Sequence, residues 1–367
     1  MRIKINAIDT LFFRDAKPFN LGEESWANSI FPPSPSTIKG MLAGAYMLQK
    51  KLKPSEAYKK SQTIKIKKVF LEIENEFYYP IPADLYSVNK DDKEASAFDL
   101  IDNQLRSSIA TKYLLQYAGE KKLLEISGKA ILSHAELNNY LNGAVHNLKY
   151  KFLEEYITAE PKIGIGRDYN MQMTKEGQLY RVNMIRPSNK KNLNERPKVE
   201  IVVDADLPVD FIEKGCVKLG GEGKVVSFVV SDEITNIPVV PISGNRFRLY
   251  LATPAVFENG WLPKWLHEDG SNGNLTVNDK KIPVRLLATA SGKRKRIGGF
   301  DAQLGIPKPM HSFVSEGSVF YLETDTNEQA NTIANALHNT CISEMSKAED
   351  GFGLAYIGNL SSNSITS

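Results

Sequence analysis

The chain has 367 residues, 42% hydrophobic and 24% charged, with 46 Lys and Arg against 43 Asp and Glu for a formal net charge of +3. At roughly 100–200 residues per domain this is about two domains, each able to bury a core without disulfides or structural metal. The balance excludes a disordered tail and a bulk polycation, so any nucleic-acid surface has to be local. Met1 to Asn6 alternates charge and apolarity where a signal peptide needs an unbroken apolar stretch. No later run reaches the ~18 apolar residues of a membrane span, and the expected location is cytoplasmic. Cys216 and Cys341 fall outside any C-x-x-C or Cys/His spacing, so both are expected to be reduced, packed thiols with no metal role.

In chain order, Ile3, Ile5 and Ala7 alternate with Arg2, Lys4 and Asn6, the pattern of a strand with one buried face. An aromatic and proline-rich loop follows. Ser34-Pro35-Ser36 then supplies cap-type residues, and Ile38, Met41, Leu42 and Ala45 recur at i, i+3, i+4 and i+7, which predicts an amphipathic helix. Strands are expected over 69–74, 123–126 and 162–165, and Ser133-x-x-Glu136 opens a short helix carrying Leu137, Tyr140 and Leu141. From Lys198 the pattern begins again, with Val199, Ile201 and Val203 alternating and further strands over 225–230, 247–251, 284–288 and 319–322. Thr326-x-x-Gln329 is a capping box ahead of Ala330, Ile333, Ala334 and Leu337 at helical period. Several strands and at least one helix per half predict an α+β fold of two tandem ferredoxin-like domains with loop insertions. Their expected extents are residues 1–190 and 198–367, with the polar stretch Pro187 to Pro197 between them.

Several kinds of chemistry have no signature. There is no P-loop, and Gly164-Ile165-Gly166 lacks the third glycine of a dinucleotide turn because Tyr169 stands there. The histidines His134, His146, His267, His311 and His338 are scattered, with no metal-ligand spacing. Three kinds of segment do carry information. Phe12 and Phe13 beside Arg14 and Lys17 offer ring faces for unpaired bases and cations for phosphates, or else plug a core with Arg14 paired to a carboxylate. Ser36, Thr37 and Lys39 stand at a helix start, where unpaired N–H groups and the macrodipole attract phosphate, or where they simply cap the helix. Glycine combines with cations in Gly164 to Asp168, which contains Arg167, in Gly220 to Lys224, and in Gly292 to Gly299. The last holds Lys293, Arg294, Lys295 and Arg296, the densest positive charge in the chain.

Taken in chain order, the blocks resemble one family. They are Leu-Phe-Phe-Arg-Asp-x-x-Pro-Phe at 11–19, Phe-Pro-Pro-x-Pro-x-Thr-x-x-Gly at 31–40, Pro80-x-Pro82-x-Asp84, and Lys162-Ile163-Gly164-Ile165-x-Arg167-Asp168. Gly177-x-Leu179-Tyr180-Arg181-Val182, Leu219-Gly220-Gly221-Glu222-Gly223, Thr253-Pro254-Ala255-x-Phe257 and Gly260-Trp261-Leu262-Pro263 follow, then Pro307-Lys308-Pro309-Met310, Gly317-Ser318-Val319 and Gly351-Phe352-Gly353. Together they are similar to the Cmr-module RAMP protein that is the third subunit of type III-B CRISPR effector complexes. Phe300 departs from the pattern, standing where Trp is expected.

The resemblance implies two ferredoxin-like folds, no cofactor and no catalytic activity. It implies a subunit that grips the repeat-derived 5′ tag of the CRISPR RNA and joins the large polymerase-like subunit to the backbone RAMP subunits. On this chain the expected RNA-binding residues are Phe12, Phe13, Arg14, Ser36, Thr37, Lys39, Arg167, Tyr169, Lys224, Lys293, Arg294 and Arg296, and the Lys293 to Arg296 run is open to a protein partner instead. The alternative is a RAMP endoribonuclease acting on precursor CRISPR RNA, for which His134, Tyr46 and Lys50 are the candidate acid and base groups.

Overall fold

The structure, a computed structural model, describes residues 1–15, 26–53, 56, 59, 62–89, 92–104, 111–117, 119–124, 126, 129–167, 173–188, 197–233, 236–301 and 304–360. Among these, three α-helices cover Pro35–Lys50 (α1), His134–Leu141 (α2) and Asn327–Leu337 (α3), and the rest is mainly antiparallel sheet. The first strand, Arg2–Ala7, lies between Val199–Asp206 and Val225–Ser231, with Ile3 opposite Val203 and Val230. Val199–Asp206 in turn separates it from Lys65–Ile73, to which α1 makes the connection. This is a split β-α-β unit. The stripe Ile38, Met41, Leu42 and Ala45 closes over Ile3, Ile5, Ile66, Ile201 and Val203, and each fully buried Ile or Leu contributes about 1.5–3 kcal/mol relative to exposure.

The domain boundary expected between residues 190 and 198 cuts through this sheet. Seven of the eight residues of Val199–Asp206 are buried, so the strand needs a neighbour on each side, and the two that supply it are Arg2–Ala7 and Lys65–Ile73. Alternation announces a half-covered strand but not which strand covers it. The sheet is completed by Val225–Ser231 and the edge strand Lys214–Lys218, where Cys216 stands exposed rather than packed.

The second sheet repeats the plan. Arg246–Leu251 lies between Val319–Glu323 and Leu354–Asn359, and Lys280–Ala290 flanks Val319–Glu323. Here α3 links Val319–Glu323 to Leu354–Asn359 across the intervening strand. Its capping box is formed, with Thr326 accepting from the Gln329 N–H, and Ala330, Ile333 and Ala334 are buried. In both sheets the first and third strands of the unit are central and the second and fourth flank them. The first sheet keeps a helix in its first crossover and the second sheet in its last.

Residues 74–198 are an insertion into the first unit. They extend the first sheet through Glu76–Pro80, Ala130–Ser133 and Leu148–Phe152 and carry α2, then form the long hairpin Ile157–Arg167 with Thr174–Pro187. A second hairpin, Lys295–Asp301 with Ile306–Phe313, stands apart from both sheets. Of the stretch 123–126, Leu124 forms an isolated bridge with Ser87, and residue 125 lies outside the described residues.

The two sheets meet over a cluster that includes Phe70, Tyr79, Tyr140, Tyr250, Tyr321 and Tyr356. Within it Asp84, fully buried, accepts hydrogen bonds from Tyr140 Oη at 2.7 Å and Tyr321 Oη at 2.6 Å, with Arg248 Nη1 at 3.8 Å. Burial first, and the Asp84 carboxylate second, push both phenols well above their ordinary pKa, so they remain donors. Nearby, Ala83 N–H donates to Gly317 O at 2.8 Å. Gly317 has φ +85°, and a Cβ there would sit 2.5 Å from Ile81 O, so only glycine fits this contact.

Candidate nucleic-acid interface

The segment 28–40 turns from a short bridge into α1. Arg14 pairs with Ser29 across an isolated bridge, Ile30 N–H donates to Phe13 O at 2.8 Å, and Phe13 N–H donates to Ser29 Oγ at 2.9 Å. Pro35 opens the helix with its φ already suited and no N–H to satisfy. Ser34 makes no side-chain capping bond, and the first turn contains no acidic residue. Its hydroxyl instead meets Ser36 Oγ at 3.1 Å and Thr37 Oγ1 at 2.9 Å. The helix therefore begins with three clustered hydroxyls and a positive end with no acidic residue in its own first turn.

The glycine turn at 219–224 closes onto the same segment. Gly221 N–H donates to Phe12 O at 2.9 Å, and at Gly220, φ +80°, a Cβ would lie 2.3 Å from that oxygen. Lys224 Nζ sits 2.8 Å from Asp9 Oδ2. That hydrogen bond lowers the pKa of Asp9 and raises that of Lys224. Lys162, from the long hairpin, donates to Thr10 Oγ1 at 3.3 Å. Three blocks far apart in sequence, 9–15, 29–40 and 219–224, thus share one neighbourhood.

Several expected site residues prove to be otherwise engaged. Phe12 and Phe13 are only 5% and 6% exposed, Phe12 packing with Ala27, Val182 and Met184 and Phe13 joining the core under α1. Neither ring faces solvent, so the base-stacking role is corrected: burying a ring in these cores is worth more than offering it to a ligand. Lys39 Nζ lies 2.7 Å from Asp350 Oδ1, with both side chains less than one-fifth exposed, and the pair ties α1 to the 343–353 loop of the second half. Asp350 has no sequence signal that would have named it. Arg14 is exposed, whereas the Arg167 side chain and Tyr169 lie outside the described residues. Lys293, Arg294 and Arg296 are exposed on the second hairpin and do not join the others.

The endoribonuclease candidates are likewise occupied. Tyr46 Oη donates to Asp210 Oδ1 at 3.0 Å, and Lys50 pairs with the same carboxylate at 2.7 Å. His134 Nδ1 lies 3.4 Å from Tyr79 Oη, and burial lowers the histidine's pKa. Among the described residues no group of His, Cys, Asp and Glu could hold a metal ion, and no helix is long and apolar enough to cross a membrane.

Comparison with solved structures places this architecture in a known class. A chain in the cryo-EM structure of the Type III-B Cmr-beta bound to cognate target RNA and AMPPnP, state 1, is 19% identical, with a TM-score of 0.53 over 92% of this chain and 90% of that one. A chain in the Cmr-beta structure bound to cognate target RNA is 18% identical, with a TM-score of 0.52 over 91% and 89%. At these identities the likeness is one of fold. No curated protein matches the chain. The chain belongs to the Cas_Cmr3 family of CRISPR-associated proteins, whose model matches residues 3–360.

Proposed function

We propose that this chain is a non-catalytic subunit of a type III-B CRISPR RNA-guided effector. In this reading it binds the repeat-derived 5′ tag of the CRISPR RNA and joins the large polymerase-like subunit to the backbone RAMP subunits. The observation that carries the RNA role is the start of α1, where hydroxyls of Ser34, Ser36 and Thr37 cluster on a helix end with no acidic side chain in its first turn. A phosphate is the group such an end attracts. Arg14 flanks it through the Ser29 bridge, and by the glycine turn stand Lys224, paired with Asp9, and Lys162. Arg167 and Tyr169 belong to the proposed surface on side-chain chemistry alone. Family membership supports the setting, and the Cmr-beta structures of similar fold are described as bound to target RNA.

The shared strand order of the two sheets supports the finer reading of two ferredoxin-like units, each retaining one of its two helices. The first unit then runs through the strand ending at Ser231, with residues 74–198 as its insertion. Against the nuclease alternative, Tyr46, Lys50 and His134 are all held in contacts that stabilise the fold.

The test is Ser36→Glu. A carboxylate in the first turn favours the helix dipole, so the fold is retained while a phosphate is repelled. Affinity of the isolated chain for an RNA bearing the 5′ tag should fall about tenfold, which corresponds to about 1.4 kcal/mol. Wild-type affinity in this variant, or wild-type affinity that does not change between about 50 and 200 mM salt, would refute the phosphate site.

A further inference from the structure

The second sheet ends in the strands Asn272–Val277 and Lys280–Ala290, whose two faces differ. Leu275, Val277, Ile282 and Val284 join the core that α3 covers. Their neighbours Asn272, Asn274, Thr276 and Lys281 fall on the opposite face and are exposed. Cross-strand pairing sets Asn272 beside Arg285, Asn274 beside Pro283 and Thr276 beside Lys281. The loop before the first of these strands adds a further rung at the edge. Leu266 bridges Gly273, Asn274 N–H donates to Trp265 O at 2.9 Å, and His267 N–H donates to Asn272 O at 2.8 Å. Trp265 therefore stands opposite Asn274 and His267 opposite Asn272 on the exposed face, while Leu266, 1% exposed, turns inward. Gly273 permits the approach, because a Cβ there would run into Trp265 O.

Lys264, Trp265, Leu266, His267 and Asn274 line an open cleft of about 200 Å³. Trp265 is half-buried and packs against the core beneath, which fixes its ring. Among the described residues, the side chains of Lys264, Trp265, Asn272, Asn274, Thr276 and Lys281 make no hydrogen bond, ion pair or ring contact. The groups around them are engaged. Asp269 accepts from Ser271 N–H at 2.9 Å and Ser271 Oγ at 2.8 Å, and Arg285 pairs with Glu323 at 3.0 Å and Asp325 at 2.8 Å. Lys264 and Lys281 are offset by Glu268 and Asp279, exposed in adjoining turns, so long-range attraction to this face is weak.

The composition selects the ligand. A stable protein interface has an apolar centre, but this face exposes no large aliphatic side chain among the described residues, and its apolar surface is that of Trp265 and Pro283. A free small molecule needs an enclosing pocket of roughly 300–1,000 Å³, and this cleft is smaller and open. A base within a nucleic-acid strand needs no enclosure, since the strand holds it near. Its flat face stacks on an indole, and its edge, which carries both donors and acceptors, matches carboxamides that carry both.

We infer that this sheet edge is a second RNA contact, which stacks an unpaired base on Trp265 and hydrogen-bonds the base edge through Asn274 and Asn272; the inference rests on the reading of this chain as an RNA-binding subunit. Contacts to bases displace no counterions, so the contact adds affinity without adding salt dependence, unlike a phosphate site.

The experiment titrates the full-length chain with single-stranded RNA bearing the 5′ tag and with an untagged strand of equal length. Trp265→Leu, and separately Asn272→Ala with Asn274→Ala, should each weaken binding about tenfold, with the salt slope between about 50 and 200 mM unchanged. Trp265→Phe keeps a ring and should stay within about threefold of wild type. Indole emission should be quenched on RNA addition, and less so in Trp265→Phe, which leaves Trp26 and Trp261. Equal losses on both strands would mark a site for any unpaired base, and a loss confined to the tagged strand a reading of the tag. Wild-type affinity in Trp265→Leu or in the asparagine variant would overturn the inference, as would equal losses in Trp265→Leu and Trp265→Phe, which mark a packing role. Variants that bind RNA normally but lose a protein subunit from the reconstituted complex would make the edge a protein surface and overturn it too. A wild-type chain that binds neither strand would remove the RNA reading as a whole, whereas failure of Ser36→Glu to affect binding bears on the α1 site alone.

Discussion

Asp84→Ala tests the joint between the two sheets. Asp84 and Tyr140 come from the insertion in the first half, and Tyr321 and Arg248 from the second, so one carboxylate holds groups of both. Deleting one partner of a buried ion pair costs about 3–5 kcal/mol. The 3.8 Å separation and the hydrogen bonds that Arg248 keeps to the carbonyls of Asn359 and Tyr140 put this pair at the low end. Two phenols left without their acceptor add about 1 kcal/mol each, for a total of about 5 kcal/mol. That is a large part of an ordinary stability of about 5–15 kcal/mol. Asp84→Asn keeps an acceptor for the phenols but no charge, and should lose about half as much. Urea denaturation followed by tryptophan fluorescence and far-UV circular dichroism gives the midpoint and slope. Because the lost contacts lie between the sheets, the Asn variant should also show two transitions where wild type shows one. A single transition within about 1 kcal/mol of wild type for Asp84→Ala would refute the reasoning.

Lys39→Met should weaken tagged-RNA binding less than Ser36→Glu does, because Asp350 already neutralises the ammonium; a larger loss by direct titration would return Lys39 to the phosphate site. Burial lowers the pKa of His338 below 6.5, and Ile357 N–H donates to its Nδ1 at 3.0 Å, so the folded ring is neutral. The unfolded chain then takes up the proton more readily, so this contribution to stability is complete above pH 6.5 and is lost as pH falls through that value toward the folded pKa. Urea midpoints between pH 7.5 and 5.5, on the order of one unit either side of 6.5, should fall in wild type and fall less in His338→Gln; parallel slopes would exclude the histidine. Gly220→Ala drives a Cβ into Phe12 O and should displace the segment bearing Arg14, weakening RNA binding, whereas Gly223→Ala meets nothing within 4 Å and should cost only the strain of its positive φ, about 1 kcal/mol. Equal effects of the two substitutions on RNA affinity would disprove the coupling.

What was legible in the sequence followed from local periodicity. The stripe of α1, the Ser133 and Thr326 caps and the strands at 2–7 and 199–206 all appear where the pattern put them, but the alternation does not hold as a wet and a dry face: Arg2 is buried against Asp204, and seven of the eight residues of 199–206 are buried. Partner choice was not legible, because a ladder between residues 2 and 204 leaves no mark at either end. The boundary placed at a polar stretch was therefore displaced by pairing. Burial of Phe12 and Phe13 escaped for a related reason: the residues that cover them, Met184 and Ile185 among them, come from the far side of the long insertion. The exposed apolar residues of the 295–313 hairpin look in sequence like any other strand residues. Only the absence of a facing sheet makes them unusual.

The blocks by which the family is recognised serve architecture more than ligand. Pro80-x-Pro82-x-Asp84 meets Gly317-Ser318-Val319 at the junction of the sheets, through Ala83 N–H to Gly317 O and Asp84 to Tyr321. Thr253-Pro254 meets Gly351-Phe352-Gly353, with Thr253 Oγ1 donating to Gly351 O at 3.0 Å and Gly353 N–H to Pro254 O at 2.8 Å. Such contacts tolerate few substitutions, since a positive-φ glycine against a carbonyl or a fully buried carboxylate has no near equivalent. Phosphate recognition is less demanding, because a hydroxyl, a backbone N–H or any nearby cation can contribute. Residue identity is therefore pinned most tightly at the joints, and a sequence motif in this chain points first to where its two sheets are fastened. The proposed RNA surface at the start of α1 overlaps such a block, 31–40, and there it is the clustered hydroxyls and the absence of an acidic residue in the first turn, rather than the motif itself, that single out the site.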